Sequence, residues 1–308
     1  MEPRRYRDAA DWRAMLDLLV AGRRAATGVH YVHTGDVSWW LFYQDGPDPF
    51  ADQIWLWEDS AGRLLAWVLF TPEDGYFDLF VQPELSGTPM AEAMHRWAEA
   101  AAAERVRACG GRHIRAYWIA ETDAARQSLL ERRGFTRGDE ALNYMTLALA
   151  EPAPAAPLPA GFTVRPVSLP AEAEARARAS YGAFGSTWEW GRYFGRYQRF
   201  TRSPVYARER DLVAISAAGV VGAFAIWWCD DANGVGYFEP VGTHPDYQRR
   251  GLGRAVILTA LNDMRARGLL QAAVCSELRN PGAVAFYTAC GFRTVKRLWP
   301  YEKPIDQD

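Results

Sequence analysis

Apolar positions along this chain follow two rhythms, and the same succession of rhythms occurs twice. Apolar runs bounded by turn residues mark strands. "IWLWEDSAGRLLAWVLF" from Ile54 and "LVAISAAGVVGAFAIWW" from Leu212 each read as two strands joined by a turn ending in Gly. A further strand follows each, "GYFDLFVQPEL" from Gly75 and "GYFEPVGTHPDY" from Gly236. The spacing then becomes helical. Met90, Met94, Trp97 and Ala101 recur at four and three residues, and Leu252, Val256, Ala260 and Met264 every four, so each helix is expected to bury one face. A strand ("HIRAYWIA"; "LQAAVCSE"), a shorter helix ending at Gly134 or Gly291, and a final strand pair opened by Phe135 or Phe292 complete each half.

The matched order, β-β-β-α-β-α-β preceded by a strand and helical segments, predicts tandem copies of one mixed α/β domain. Residues 151–160, "EPAPAAPLPA", carry no apolar periodicity and read as a linker between domains at 1–150 and 161–308. A chain of 308 residues that is 49% apolar can bury a core in each half.

Charge narrows the partners. The formal net charge is -2, with no global basic excess of the kind that drives nonspecific nucleic-acid binding. Cys109, Cys229, Cys275 and Cys290 have no CxxC spacing and lie in or beside apolar stretches, the pattern of reduced thiols. His30 and His33 lack the glutamate of a zinc helix, so no metal is expected. The N-terminal stretch lacks the apolar core of a signal peptide, and no run approaches the roughly 20 apolar residues that span a bilayer. The expectation is a soluble cytoplasmic protein, monomer or homodimer, with no nucleic-acid or membrane partner.

The chemistry concentrates in "HPDYQRRGLGRAVI", His244–Ile257. A helix start offers unpaired N–H groups and the positive end of the helix dipole to an anion. Gly251 and Gly253 admit close backbone approach, and Gln248, Arg249, Arg250 and Arg254 add donors. A Walker loop needs the glycine-lysine-hydroxyl ending that is missing, and a Rossmann fingerprint needs a small residue where Val256 stands. No GxSxG or Cys-His signature indicates covalent catalysis.

The segment resembles the pyrophosphate-binding signature of the GNAT superfamily of acyl-CoA-dependent acyltransferases: Gln or Arg, two residues, Gly, one residue, then Gly or Ala. Gln248, Gly251 and Gly253 fill it. "NPGAVAFYTACGF" from Asn280 resembles the family's second conserved segment, and the resemblance spans 161–304. It implies two tandem GNAT-like domains, each a mostly antiparallel mixed central sheet flanked by helices. Acetyl-CoA becomes the co-substrate and a primary amine of a small molecule the acceptor, with direct transfer between them. It also implies that Val241, Gly242 and Thr243 hold the pantetheine arm through their backbone and that Gln248, Arg249, Arg250, Gly251, Leu252, Gly253 and Arg254 cradle the diphosphate. Asn280 bonds the same arm or caps its helix. Tyr287 is the candidate acid for the departing thiolate. Glu239 is the candidate base, expected on the same strand face as Val241 and Thr243; a frequent family position for the base aligns nearer Tyr237.

"STWEWGRYFGRYQRF" supplies Trp188, Trp190 and Tyr193, which with Tyr237 are candidates for the acceptor pocket; helical spacing also fits ordinary packing. In the first half, Ser86, Pro89 and Ala91 stand opposite Gln248, Gly251 and Gly253, and Leu130 opposite Tyr287. Proline has no N–H to offer a phosphate. The first half therefore resembles a degenerate domain that does not bind CoA. Rival functions are an acyl-CoA-binding sensor without turnover and an acetyltransferase for protein or peptide amines.

Overall fold

The computed structural model describes residues 2–25, 28–45, 52–155 and 157–305. The first half runs β1 (Arg4–Arg5), α1 (Ala9–Ala25), α2 (Thr34–Phe42), β2 (Ile54–Glu58), β3 (Leu64–Thr71), β4 (Tyr76–Val81), α3 (Pro89–Ala108), β5 (His113–Ala120), α4 (Ala124–Arg132), β6 (Thr136–Arg137) and β7 (Leu142–Ala148). The second runs β8 (Phe162–Pro166), α5 (Ala173–Ala183), α6 (Trp190–Phe200), β9 (Asp211–Ser216), β10 (Val221–Asp230), β11 (Val235–Thr243), α7 (Leu252–Ala266), β12 (Gln271–Glu277), α8 (Pro281–Ala289) and β13 (Arg293–Pro304). The duplicated order is as the sequence predicts. The final strand pair appears only in the first half, because β13 continues unbroken and carries its irregularities as bulges.

All of these strands join one sheet, ordered β1-β2-β3-β4-β5-β13-β7-β12-β11-β10-β9-β8, with β6 beside β13. Pairing is antiparallel except at β4·β5 and β11·β12. The two terminal strands are exchanged. β7 of the first half pairs along its whole length with β12 of the second, Gln271↔Ala148 to Glu277↔Leu142. β13 of the second half pairs with β5 of the first, Leu298↔Ala120 to Pro304↔His113. The sheet therefore crosses the boundary drawn at the linker.

Helices cover both faces. Leu252, Val256, Ala260 and Met264 of α7 are all buried, as their spacing predicts. In α3 the buried stripe is Met94, Ala98, Ala102 and Val106; of the positions expected there, Met90 is 42% exposed and Trp97 and Ala101 are half-buried. A shared core joins Tyr43, Ala120 and Tyr144 of the first half to Tyr197, Trp228, Tyr237 and Ala273 of the second. There α2 lies on the second half's strands, with Gly35 so close to Trp228 that a Cβ would stand 2.3 Å from its ring. His33 and Asp36 start α2 with a reciprocal capping box. Arg23 at the end of α1 pairs with Asp230 across the halves at 3.2 Å.

A buried ion pair, Arg176–Asp211 at 2.8 Å, fixes α5 to β9. Asp211 also accepts the hydroxyls of Tyr197 (2.8 Å) and Tyr206 (3.2 Å), which ties α6 to the same carboxylate. All four cysteines are unpaired, and Cys109 is exposed. Among the described residues no helix is long and apolar enough to cross a membrane.

Candidate active site

The site begins where two parallel strands part. β11 and β12 pair only from Val235↔Gln271 to Phe238↔Val274, although both strands continue. β11 stays bound to β10 on its other edge. Beyond Phe238 one edge of β11 thus opens into a wedge, with the backbone groups of Val241, Gly242 and Thr243 along it.

A bulge sits at the start of the wedge. Phe238 pairs with Trp227 and Val241 with Ala225, so Glu239 and Pro240 together oppose Ile226. This corrects the expected face of Glu239. The extra residue sends Val241 to the α7 side, where it packs against that helix's core, and Thr243 lies there too, against Gly253. Glu239 stays on the opposite side with Tyr237. The Trp228 indole donates to the Glu239 carbonyl at 2.7 Å and pins the bulge.

At the far end of β11 the chain turns through Pro245–Tyr247 into the glycine loop. Arg249 (φ 59°) and Gly251 (φ 82°) both take the left-handed conformation, which only glycine adopts freely. Gly253 fits against the strand end, where a Cβ would lie 2.8 Å from Thr243 Oγ1. The first turn of α7 therefore abuts the open edge of β11, and its N–H groups have no partner within the helix. Gln248, Arg249 and Arg250 are exposed around it, Arg254 is half-buried, and Arg250 lies over the Tyr247 ring.

Across the wedge, Asn280 Oδ1 accepts the Ala283 N–H at 3.0 Å and Pro281 opens α8, the capping arrangement its sequence suggests. Tyr287 is buried, edge-on to Phe286 and Phe292. Burial and then the nearby Glu239 charge raise its hydroxyl well above the usual tyrosine range, so it holds its proton firmly.

Glu239 faces a cleft of about 400 Å³. The protein around it, and secondarily the Asp36 carboxylate, push its pKa up to about 8. Asp36 is itself raised to about 7 by burial, against the bond it accepts from the His33 N–H at 2.9 Å. Of the aromatic candidates, Trp188 and Tyr193 line the cleft. Trp190 does not; it stacks on Phe194 at 5.6 Å. Tyr237 does not either: it is 1% exposed and stacked on His33 at 5.0 Å, because α2 covers that stretch of β11. Sequence reasoning missed Trp39, Tyr43 and Arg196, which complete the wall. Arg196 lies between the rings of Trp188 and Tyr43, at 4.4 and 4.6 Å. The capping pair before an aromatic run signals a helix, but not that it crosses to the other half.

The first half offers an internal comparison. β4 and β5 also part early, pairing only at Tyr76↔Arg115 and Phe77↔Ala116. Here a cavity of about 230 Å³ remains, and side chains lining it bond the open strand edge. The Tyr31 hydroxyl donates to the Val81 carbonyl at 2.7 Å, and Arg126 reaches within 3.5 Å of the Leu79 carbonyl. Arg126 stands where the second half has Ala283. β4 follows β3 without a bulge, and the left-handed position of Gly251 is taken by Pro89, the first residue of α3.

This duplicated mixed sheet, with a parted parallel strand pair and a helix start at its mouth, defines a tandem GNAT fold. Residues 177–292, somewhat over a third of the chain, match the Acetyltransferase (GNAT) family. A tandem GNAT protein from the clavulanic acid biosynthesis pathway superposes with a TM-score of 0.70 at 16% identity, over 99% of this chain and 98% of that one. A GCN5-related N-acetyltransferase from Sphaerobacter thermophilus gives 0.67 at 21% identity, covering 99% and 96%. Among curated relatives, a mycothiol acetyltransferase of Thermobispora bispora is 30% identical over 59% of this chain and 63% of its own length. That of Nocardia farcinica is 30% identical over 60% and 62%. The chain thus spans about three-fifths of the length of these two relatives.

Proposed function

We propose that the protein is an N-acetyltransferase that moves an acetyl group directly from acetyl-CoA to a primary amine of a small molecule, in its second half. The observation that carries this reading is the wedge beside β11, with a helix start at its mouth, Tyr287 across it, and Glu239 at its inner end facing a separate aromatic cleft. A donor entering by the wedge and an acceptor entering by the cleft meet at the bulge.

Each residue then has a distinct task. The first-turn N–H groups of α7, with Gln248, Arg249, Arg250 and Arg254, hold the diphosphate. The open edge of Val241–Thr243 binds the pantetheine arm as a strand would, aided by Asn280, and directs an N–H at the acyl oxygen. Glu239 takes a proton from the incoming ammonium, directly or through one water, which leaves a free amine as nucleophile. As the N–C bond forms the C–S bond breaks, Tyr287 delivers a proton to the departing sulfur, and the second proton shed by the amide nitrogen restores the Tyr287 hydroxyl, directly or through water. A carboxylate pKa near 8 is close to the working pH, where a general base is most effective. Trp188, Tyr193, Trp39 and Tyr43 enclose the acceptor.

In the first half, Tyr31 and Arg126 hold the strand carbonyls that an arm would need, and Pro89 removes an N–H from the helix start. We assign it a supporting role: it builds the acceptor wall through α2 and does not bind CoA. Relatives named mycothiol acetyltransferase favour a small-molecule acceptor over a peptide.

The test is free-thiol release from acetyl-CoA across panels of amine metabolites and of peptides. Turnover on metabolites supports the reading. Turnover confined to peptides replaces the acceptor class, and tight acetyl-CoA binding with no thiol release on any amine points to a sensor.

A further inference from the structure

A second cavity, of about 380 Å³, lies in the first half. Its walls include Trp39, Trp40, Tyr43, Tyr76, Tyr117 and Trp118, and Asp78 is its lining carboxylate. Asp78 is 7% exposed, and its Oδ1 is buried without a hydrogen-bond partner among the described residues. A buried acceptor left unmatched inside a protein calls for an explanation. Two positively charged side chains come near. Arg126 makes no ion pair with Asp78 among those observed, and Arg196, which is itself part of the cavity wall, is taken up by the Tyr43 carbonyl and by the rings of Trp188 and Tyr43.

The duplication gives Asp78 a meaning. "GYFD" from Gly75 repeats "GYFE" from Gly236, so Asp78 is the counterpart of Glu239. Both carboxylates open onto aromatic cavities, and Trp39 and Tyr43 form part of the wall of each. A further feature is independent of the repeat. Tyr117 and Trp118 together oppose Pro300 in a bulge of β5 on β13, and Trp118 has φ 64°, a conformation strained for a bulky side chain. Such strain concentrates at binding sites. Here it belongs to a bulge that turns two aromatic residues into the cavity wall.

We propose that this cavity is a binding site for an organic ammonium ion, with Asp78 as the counter-charge and the surrounding rings as a cation–π wall. Burial pushes the Asp78 carboxyl up to about 7, partly offset by the Arg126 charge and by hydrogen bonding from the Tyr117 backbone and the Trp118 side chain. It is therefore readily ionised by a cation arriving beside it. The ligand is bound and not acetylated, because Tyr31 and Arg126 bond the strand carbonyls that a pantetheine arm would use in the adjoining wedge. The first half has thus kept the amine end of the duplicated site and lost the acyl end. That kinship rests on the function proposed for the second half, while ammonium binding at Asp78 is tested apart from acetyl transfer.

The probe is 2-phenylethylammonium, titrated at pH 8 and followed by tryptophan fluorescence, with uncharged 2-phenylethanol as its isostere. The Glu239→Gln variant removes the other carboxylate, so that binding there reports on Asp78 alone. Saturable amine binding is expected in that variant, weaker for the alcohol by about tenfold or more, a factor equivalent to ~1.4 kcal/mol. Adding Asp78→Asn, with thermal melting to confirm folding, is expected to weaken amine binding by a similar factor. Equal binding of alcohol and amine, binding indifferent to Asp78→Asn, or no saturation at all in Glu239→Gln would each overturn the assignment. The alcohol comparison needs no change at Asp78, so it decides the matter even if the double variant fails to fold.

Discussion

Replacing Glu239 by Gln is expected to move activity and stability in opposite directions. With a carboxyl pKa of about 8, about a tenth of the wild-type protein carries the basic form at pH 7 and about nine-tenths at pH 9. The kcat/KM for acetyl transfer should therefore rise close to tenfold over that range, with an inflection near 8. Glu239→Gln should lower it by about 10²–10⁴-fold and remove the inflection. Stability follows the opposite course. The unfolded glutamate ionises near 4.5 and the folded one near 8. Between those values the native state retains a proton that the unfolded chain has released, so native stability falls as pH rises and the loss is complete above 8. A shift of ~3.5 units at ~1.4 kcal/mol each sets a ceiling of about 5 kcal/mol, and solvent in the open cleft reduces it to about half. At pH 9 the variant should thus melt at a higher temperature than the wild type while turning over far more slowly. Thiol-release assays and thermal melts from about pH 5 to 9.5, spanning the ionisation of the folded carboxyl, measure the two effects on the same samples. A flat wild-type profile, or a variant with undiminished turnover, would refute Glu239 as the base.

Further outcomes follow from other parts of the site and the fold. Tyr287→Phe should lower kcat by about 10–100-fold while acetyl-CoA binding, measured by calorimetry, stays within about twofold. Gly251→Ala places a side chain at φ 82°; it should cost about 1–2 kcal/mol in denaturant melts and raise KM for acetyl-CoA more than it lowers kcat. Arg176→Ala leaves the Asp211 carboxylate buried without its ion partner, and about 3–5 kcal/mol should be lost in urea unfolding. Because β7 and β13 are exchanged, halves expressed separately and divided at the linker should not melt cooperatively, while co-expression should restore one transition. Cooperative melting of either half alone would contradict the role given to the exchange.

The element order, the buried stripe of α7 and the glycine loop were legible because each depends on local spacing. The face of Glu239 was not, since period-two alternation fails once a bulge inserts a residue. A cue was present: one more residue separates Glu239 from Pro245 than separates Asp78 from Pro83. The crossing of α2 left no comparable trace. Trp39 and Tyr43 look like ordinary core aromatics, and only their seat on the other half's strands makes them part of the cleft. Tyr237 had the opposite fate, a residue on the right strand face but roofed by α2. Strand exchange is equally hidden, because β7 and β13 alternate in the same way whichever sheet they join.

Followed from either end, the strand order reads the same: each half contributes its strands in one succession, and the two successions meet at β13 and β7. That is the symmetry of a homodimer whose subunits have traded their last strands and then been joined into one polypeptide. In such an ancestor both copies had to serve one interface and one chemistry at once. Fusion frees them to diverge, so one copy can accumulate a proline at its helix start and an arginine in its wedge. The traded strands still prevent the altered copy from being discarded.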